Sequence, residues 1–136
     1  MRIITLCLLC SVAFWSFNRE ITSAVRCINQ PKSVEGTLKK STAVLVGEVI
    51  EVKDTGTLKE ARLRVEQSWK GVETKEIIVL ATRTAESPRY QVGERYLVFA
   101  GLQNGKLLTG ACSRTKKVEH AQEDLQQLGA GKKPEE

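Results

Sequence analysis

"RYLVFAGLQNGKLLTGACSRT", residues 95–115, is the stretch on which the reading of the fold turns. It reads as strand, turn and strand. The segments ERYLVFAGLQ (94–103) and KLLTGAC (106–112) flank Asn104-Gly105. That pair suits a two-residue type I′ hairpin turn, because both residues tolerate the positive φ it demands. Counting outward from the turn sets Leu102 opposite Leu107, Phe99 opposite Gly110 and Leu97 opposite Cys112. The second strand therefore ends on a cysteine, and the chain has four: Cys7, Cys10, Cys27 and Cys112.

The amino terminus decides which of these Cys112 can meet. Met1-Arg2 precedes IITLCLLCSVAFWSF, an apolar run of signal-peptide core length and short for a membrane span. Thr22 and Ala24 place small residues at −3 and −1 of a cleavage site, so residues 1–24 read as a signal peptide and the mature chain starts Val25-Arg26-Cys27. An uncleaved amino-terminal anchor is the competing reading, since Arg2 alone supplies positive charge ahead of the run. Cys7 and Cys10 have C-x-x-C spacing, but they lie inside the apolar run, where they read as small apolar residues. Cys27 and Cys112 remain. Two cysteines in an exported chain read as one disulfide, and export implies a secreted or periplasmic location with no membrane contact after cleavage.

Working outward from the hairpin, the remaining segments supply three more strands. TAVLVGEVIEV, 42–52, is rich in β-branched residues, and Gly47 in its middle marks a bulge or sharp bend. EARLRVEQSW, 60–69, alternates: Ala61, Leu63, Val65 and Gln67 on one face, Arg62, Arg64, Glu66 and Ser68 on the wet one. KEIIVLATR, 75–83, follows the Lys70-Gly71 break. SVEGTLKK, 33–40, suits one or two helical turns, and KVEHAQEDLQQLG, 117–129, sets Val118, Ala121, Leu125 and Leu128 on one helical stripe that stops at Gly129. AGKKPEE, 130–136, reads as a disordered tail. Leu63, Val65, Val79, Leu97 and Phe99 are the expected inward core. The fold class is all-β with a terminal helix, a five-stranded OB-fold barrel over residues 25–129; seven strands for an immunoglobulin-like sandwich are not there.

The same residues argue against catalysis. A chain of 136 residues has room for one domain. Its one histidine, His120, falls on the wet side of the terminal helix. One histidine and two bonded cysteines cannot make an ordinary zinc or copper site. No phosphate-cradling glycine loop and no nucleophile elbow occurs. No enzyme activity, no cofactor and no metal of its own are expected. The net charge of +5 permits an anionic partner without demanding one. Single-strand binding needs aromatic platforms over a basic groove, and Trp69, Tyr90, Tyr96 and Phe99 are too few to expect nucleic acid.

Residues YLVFAGLQNGKLLTGACSRT, with VGERY (92–96), SWKGV (68–72) and AVLVGEVIEV (43–52), together resemble the tissue inhibitor of metalloproteinases family. They are closest in character to its shorter, single-domain members of bacterial type. The resemblance spans about residues 25–128, and the hairpin with its terminal cysteine is the most specific part. It implies an OB-fold barrel with Cys27 bonded to Cys112, the pair that counting also leaves. Family members begin C-x-C; here Val25 stands at the first cysteine. The loop where that cysteine's partner would lie is TAESPRY, 84–90, without a cysteine. In the family the amine and carbonyl of the first residue chelate a protease zinc and the next side chain enters the specificity pocket. The implied contact edge is thus Val25, Arg26 and Cys27, with Ser113 beside them and a zinc metalloproteinase as partner. An exported metalloproteinase inhibitor is the expected function; a non-inhibitory protein-binding or structural module of the cell envelope is the alternative.

Overall fold

The computed structural model describes Cys27 and residues 30–135. The expected signal segment, Val25 and Arg26 lie outside the described residues. The elements are α1 (Val34–Lys40), β1 (Ala43–Asp54), β2 (Leu58–Lys70), β3 (Glu76–Thr82), β4 (Arg95–Gln103), β5 (Lys106–Thr109), β6 (Lys116–Lys117), a 3-10 turn at Val118–His120 and α2 (Gln122–Leu128). Strand order is β1-β2-β3-β5-β4, and β4 pairs back onto β1, which closes a five-stranded barrel. β3 and β5 pair in parallel and the other barrel contacts are antiparallel. This is the OB-fold. The two-residue β6, paired to Tyr96 and Leu97, is an addition that the sequence does not announce.

The hairpin turns at Asn104 and Gly105, with φ of 52° and 73°. Leu102 faces Leu107, as expected, and the ladder continues to Gly101 and Leu108. There it ends, so the expected Phe99–Gly110 and Leu97–Cys112 pairs do not form. β5 instead pairs Leu108 and Thr109 with Leu80 and Ala81 of β3, which draws it away from β4. Phe99 and Leu97 lie across β1 from Val44 and Val46. At Gly47 the β1–β2 register shifts, which lets one long strand serve both β2 and β4.

Two apolar cores result. Leu45, Val49, Leu63, Val65, Val79, Tyr90, Tyr96, Val98 and Ala100 fill the barrel. Val34, Val44, Val46, Leu97, Phe99 and Ala121 form a second core outside it, joined by Trp69, Val118, Leu125 and Leu128. Leu97 and Phe99 are therefore buried but not inward. They sit on the opposite face of β4 from Tyr96 and Val98, beneath the helices. Ser68, expected on the wet face, is buried and donates to the Val72 carbonyl at 2.8 Å, because the turn after Lys70 folds over it. The terminal stripe packs as its spacing predicts, although its first turn is 3-10. Beyond it, Lys132 exchanges two 2.8 Å backbone hydrogen bonds with Ser68, which fastens the start of the expected tail.

Candidate functional site

The site is built where β5 leaves the hairpin. Thr109 is anchored in the barrel: its hydroxyl donates to Leu80 O at 3.2 Å and meets Tyr90 Oη at 3.0 Å. The chain then turns through Gly110 and Ala111, and Cys112 bonds Cys27 with a Cα–Cα separation of 5.5 Å. This joins residues 85 positions apart and fixes the incoming chain at the outlet of the hairpin. Cys27 is exposed and Cys112 half-buried. Gln30 adds a second tether by donating its side-chain amide to the Cys112 carbonyl.

Ser113 and Thr115 close the strand edge that β5 abandons. Phe99 N–H donates to Thr115 Oγ1 at 2.9 Å, and the Ser113 hydroxyl donates to Phe99 O at 2.9 Å. The two hydroxyls also bond one another at 2.7 Å. A buried strand with unpaired backbone groups would be costly, and these side chains stand in for a neighbouring strand. Ser113 follows the bonded Cys112, and its hydroxyl is committed to the fold.

Arg114 and Lys116 then clamp α2. Arg114 donates to both Asp124 oxygens at 2.8 and 3.0 Å, and Lys116 Nζ lies 3.0 Å from the same carboxylate. Asp124 is 4% exposed. Burial alone would raise its pKa, but the hydrogen bonds from Arg114 and Lys116 outweigh that and hold the carboxyl below its usual range. On the other side, Lys70 Nζ donates to Leu38 O and Lys39 O at 3.1 and 3.0 Å, capping the carboxyl end of α1. Between these clamps runs an open groove of 460 Å³ lined by Pro31, Thr37, Ser41, Phe99, Leu108 and Cys112, among others. Polar and apolar residues both line it, and Cys112 brings one end of the disulfide to its edge.

The structure brings Cys27, Cys112 and Ser113 together; Val25 and Arg26 lie outside the described residues. Gln30, Thr115 and Asp124 are contributors that pattern reading misses. Gln30 and Thr115 carry no periodic signal. Asp124 reads as an ordinary first-turn acid of α2 until its partners across the fold are known.

Elsewhere, the outer face of β1 and β2 pairs its cations with carboxylates. Arg62 meets Glu51, Arg64 lies 4.0 Å from Glu48, and Arg95 of β4 makes a forked bond to Glu66 with a closest approach of 2.6 Å. Tyr90 and Tyr96 are barrel-core residues in edge-to-face contact at 4.9 Å. Trp69 is half-buried, with its indole N–H donating to Gly129 O at 3.1 Å. His120 is exposed beside Glu119. Among the described residues no cluster of three His, Cys, Asp or Glu side chains suits a metal ion, and no helix is long and apolar enough to cross a membrane.

No family model and no curated protein matches the sequence. Among solved structures, the chain is similar to the OB domain of MM0293 from Methanosarcina mazei, determined in solution by NMR. The match has 18% identity, covers 74% of this chain and 90% of that one, and has a TM-score of 0.40. The OB-fold assignment rests on the strand order and the β1–β4 closure described above.

Proposed function

We propose that this OB domain is a protein-binding module that acts through the segment fastened at Cys27, and that its partner is a zinc metalloproteinase which it inhibits. The observation that carries the reading is the Cys27–Cys112 bond: it pins the incoming chain against the hairpin outlet with Cys27 exposed. A contact segment that starts from such a fixed point would lose less entropy on entering a protease cleft than one on a loose chain. By the resemblance, the Val25 amine and carbonyl would chelate the target's zinc and the Arg26 side chain would enter its specificity pocket. The groove beside the disulfide gives the partner a second surface to rest on.

Two residues favour a second reading, a protein-binding module without inhibition. Val25 in place of a cysteine leaves the first residue without its own covalent anchor. Arg26 would also bring a charge into what is often an apolar pocket.

The test is the pH dependence of inhibition by protein beginning at Val25. A zinc donor must be a neutral amine, so inhibition weakens as pH falls through about 7.7–8.0, the ordinary α-amino range. Inhibition that is flat across that range, after correction for the protease's own profile, would remove the chelating amine from the account.

A further inference from the structure

A second pocket, of 310 Å³, opens at the end of the barrel beneath the β3–β4 loop, and its chemistry differs from that of the disulfide groove. Lys59, Thr82, Arg83, Thr84, Ser87 and Arg89 line it, with Ala85 and Pro88. Three cations and three hydroxyls thus meet in one concavity. We propose that it binds a tetrahedral oxyanion, the phosphate or sulfate group of a larger ligand.

Among the described residues every arginine but one has a carboxylate partner: Arg62, Arg64, Arg83, Arg95 and Arg114. The exception is Arg89, and it faces this pocket. Lys59, which also lines it, has no carboxylate within ion-pair distance among the described residues. It sits opposite Ala81 and continues the inward row of Ala61, Leu63 and Val65 to the barrel's end, where it is half-buried. Arg83 is held at the wall, with Nη1 donating to Asp54 at 2.8 Å and to Gly56 O at 2.7 Å; its Nε and Nη2 groups have no acceptor among the described residues. The acids nearest in sequence are Glu60, which lines a different pocket with Glu51 and Arg62, Asp54, spent on Arg83, and Glu86, which is exposed; none of the three lines this pocket. Two of the three cations, Lys59 and Arg89, therefore stand here without a carboxylate partner among the described residues, whereas Lys53, Arg62 and Arg64 of the β1–β2 face are paired.

Ser87 is 5% exposed, and its Oγ bonds Thr82 Oγ1 at 2.5 Å and Thr84 Oγ1 at 2.7 Å. Three hydroxyls carry three protons, and the two mutual bonds use two. The third has no acceptor among the described residues and is left to donate outward. A neutral donor set among guanidinium and ammonium groups is the arrangement that grips an anion with several oxygens, because donors approach it from several sides. A planar carboxylate offers only two oxygens and matches fewer of them. The same end of the barrel holds Gly110, two residues before Cys112, where an added β-carbon would lie 3.7 Å from Thr82 Oγ1. An anionic group here would thus lie close to the proposed contact edge, though the site stands independently of that reading.

The experiment is an NMR titration of the isotopically labelled domain with inorganic phosphate, sulfate and acetate at constant ionic strength. O-phosphoserine and a sulfated monosaccharide then distinguish the two sources. The expected result is saturable shifts confined to Lys59 and residues 82–89 with phosphate and sulfate, and clearly weaker binding of acetate. Lys59→Gln with Arg89→Gln should lower affinity about tenfold or more, the loss expected of two charge-assisted contacts. Lys75→Gln with Lys106→Gln, which removes equal charge elsewhere, should leave it unchanged; the amide spectra report that both variants are folded. Linear shifts without saturation, equal weakening by the control pair, or acetate binding as tightly as phosphate would each overturn the proposal.

Discussion

Thr115 holds Phe99 in place of a strand: its hydroxyl oxygen accepts the Phe99 backbone N–H at 2.9 Å just where β5 has turned away to β3. Thr115→Val keeps the shape and removes the acceptor. It leaves a buried N–H unpaired, so stability should fall by about 1–3 kcal/mol in denaturant melts. Thr115→Ser should lose much less. Equal losses from both would show that the methyl group, not the hydroxyl, is what matters at this position.

Phe99 lies outside the barrel, beneath α1 and α2, at 3% exposure. Phe99→Ala should cost about 3–5 kcal/mol. Because the cavity opens under the helices, hydrogen exchange in α2 should accelerate before exchange in β2 and β3 does. The opposite order would return Phe99 to the barrel interior.

That distinction shows where sequence reading stops. The Asn104-Gly105 turn, the Gly47 irregularity and the Val118–Leu128 stripe are local patterns, and each is legible because one face or one dihedral decides it. Residues 96–100 are apolar on both faces of β4, since one face fills the barrel and the other meets the helices. Without alternation, the pattern cannot say which of Leu97 and Val98 looks inward. The same limit applies to the hairpin. Pairing close to the turn follows from counting, but the departure of β5 depends on β3, which is distant in sequence. Cys27 and Cys112 were legible by elimination, whereas the hydroxyls that seal β4 follow from no spacing rule.

The Asp124 clamp has a defined pH signature. Its folded-state pKa lies below the ordinary 3.8, so its contribution is present above that value and is lost as pH falls below it. Asp124→Asn should destabilise the domain by about 1–3 kcal/mol at neutral pH, since Arg114 and Lys116 lose their shared partner. The gap between variant and parent should narrow as urea melts are taken below pH 4. A gap that stays constant to pH 2 would mean that the charge on Asp124 contributes nothing.

The disulfide closes a loop of 85 positions. Replacing Cys27 and Cys112 by serine should lower stability by about 4–5 kcal/mol on the loop-entropy model. Hydrogen exchange of the barrel strands should still report a closed sheet at low temperature. Non-reducing peptide mapping should find the two cysteines in one linked fragment; two free thiols in oxidised protein would contradict the assignment.

The pinned amino-terminal edge is proposed as the working part of the molecule. The most direct measurement is inhibition of a panel of zinc proteases by three forms: protein starting at Val25, the same protein with one alanine added ahead of Val25, and the amino-acetylated protein. The first form should inhibit at least one protease, and the other two, equally well folded, should not. Equal inhibition by all three would contradict zinc chelation, and no inhibition by the first form across the panel would contradict the inhibitor reading itself.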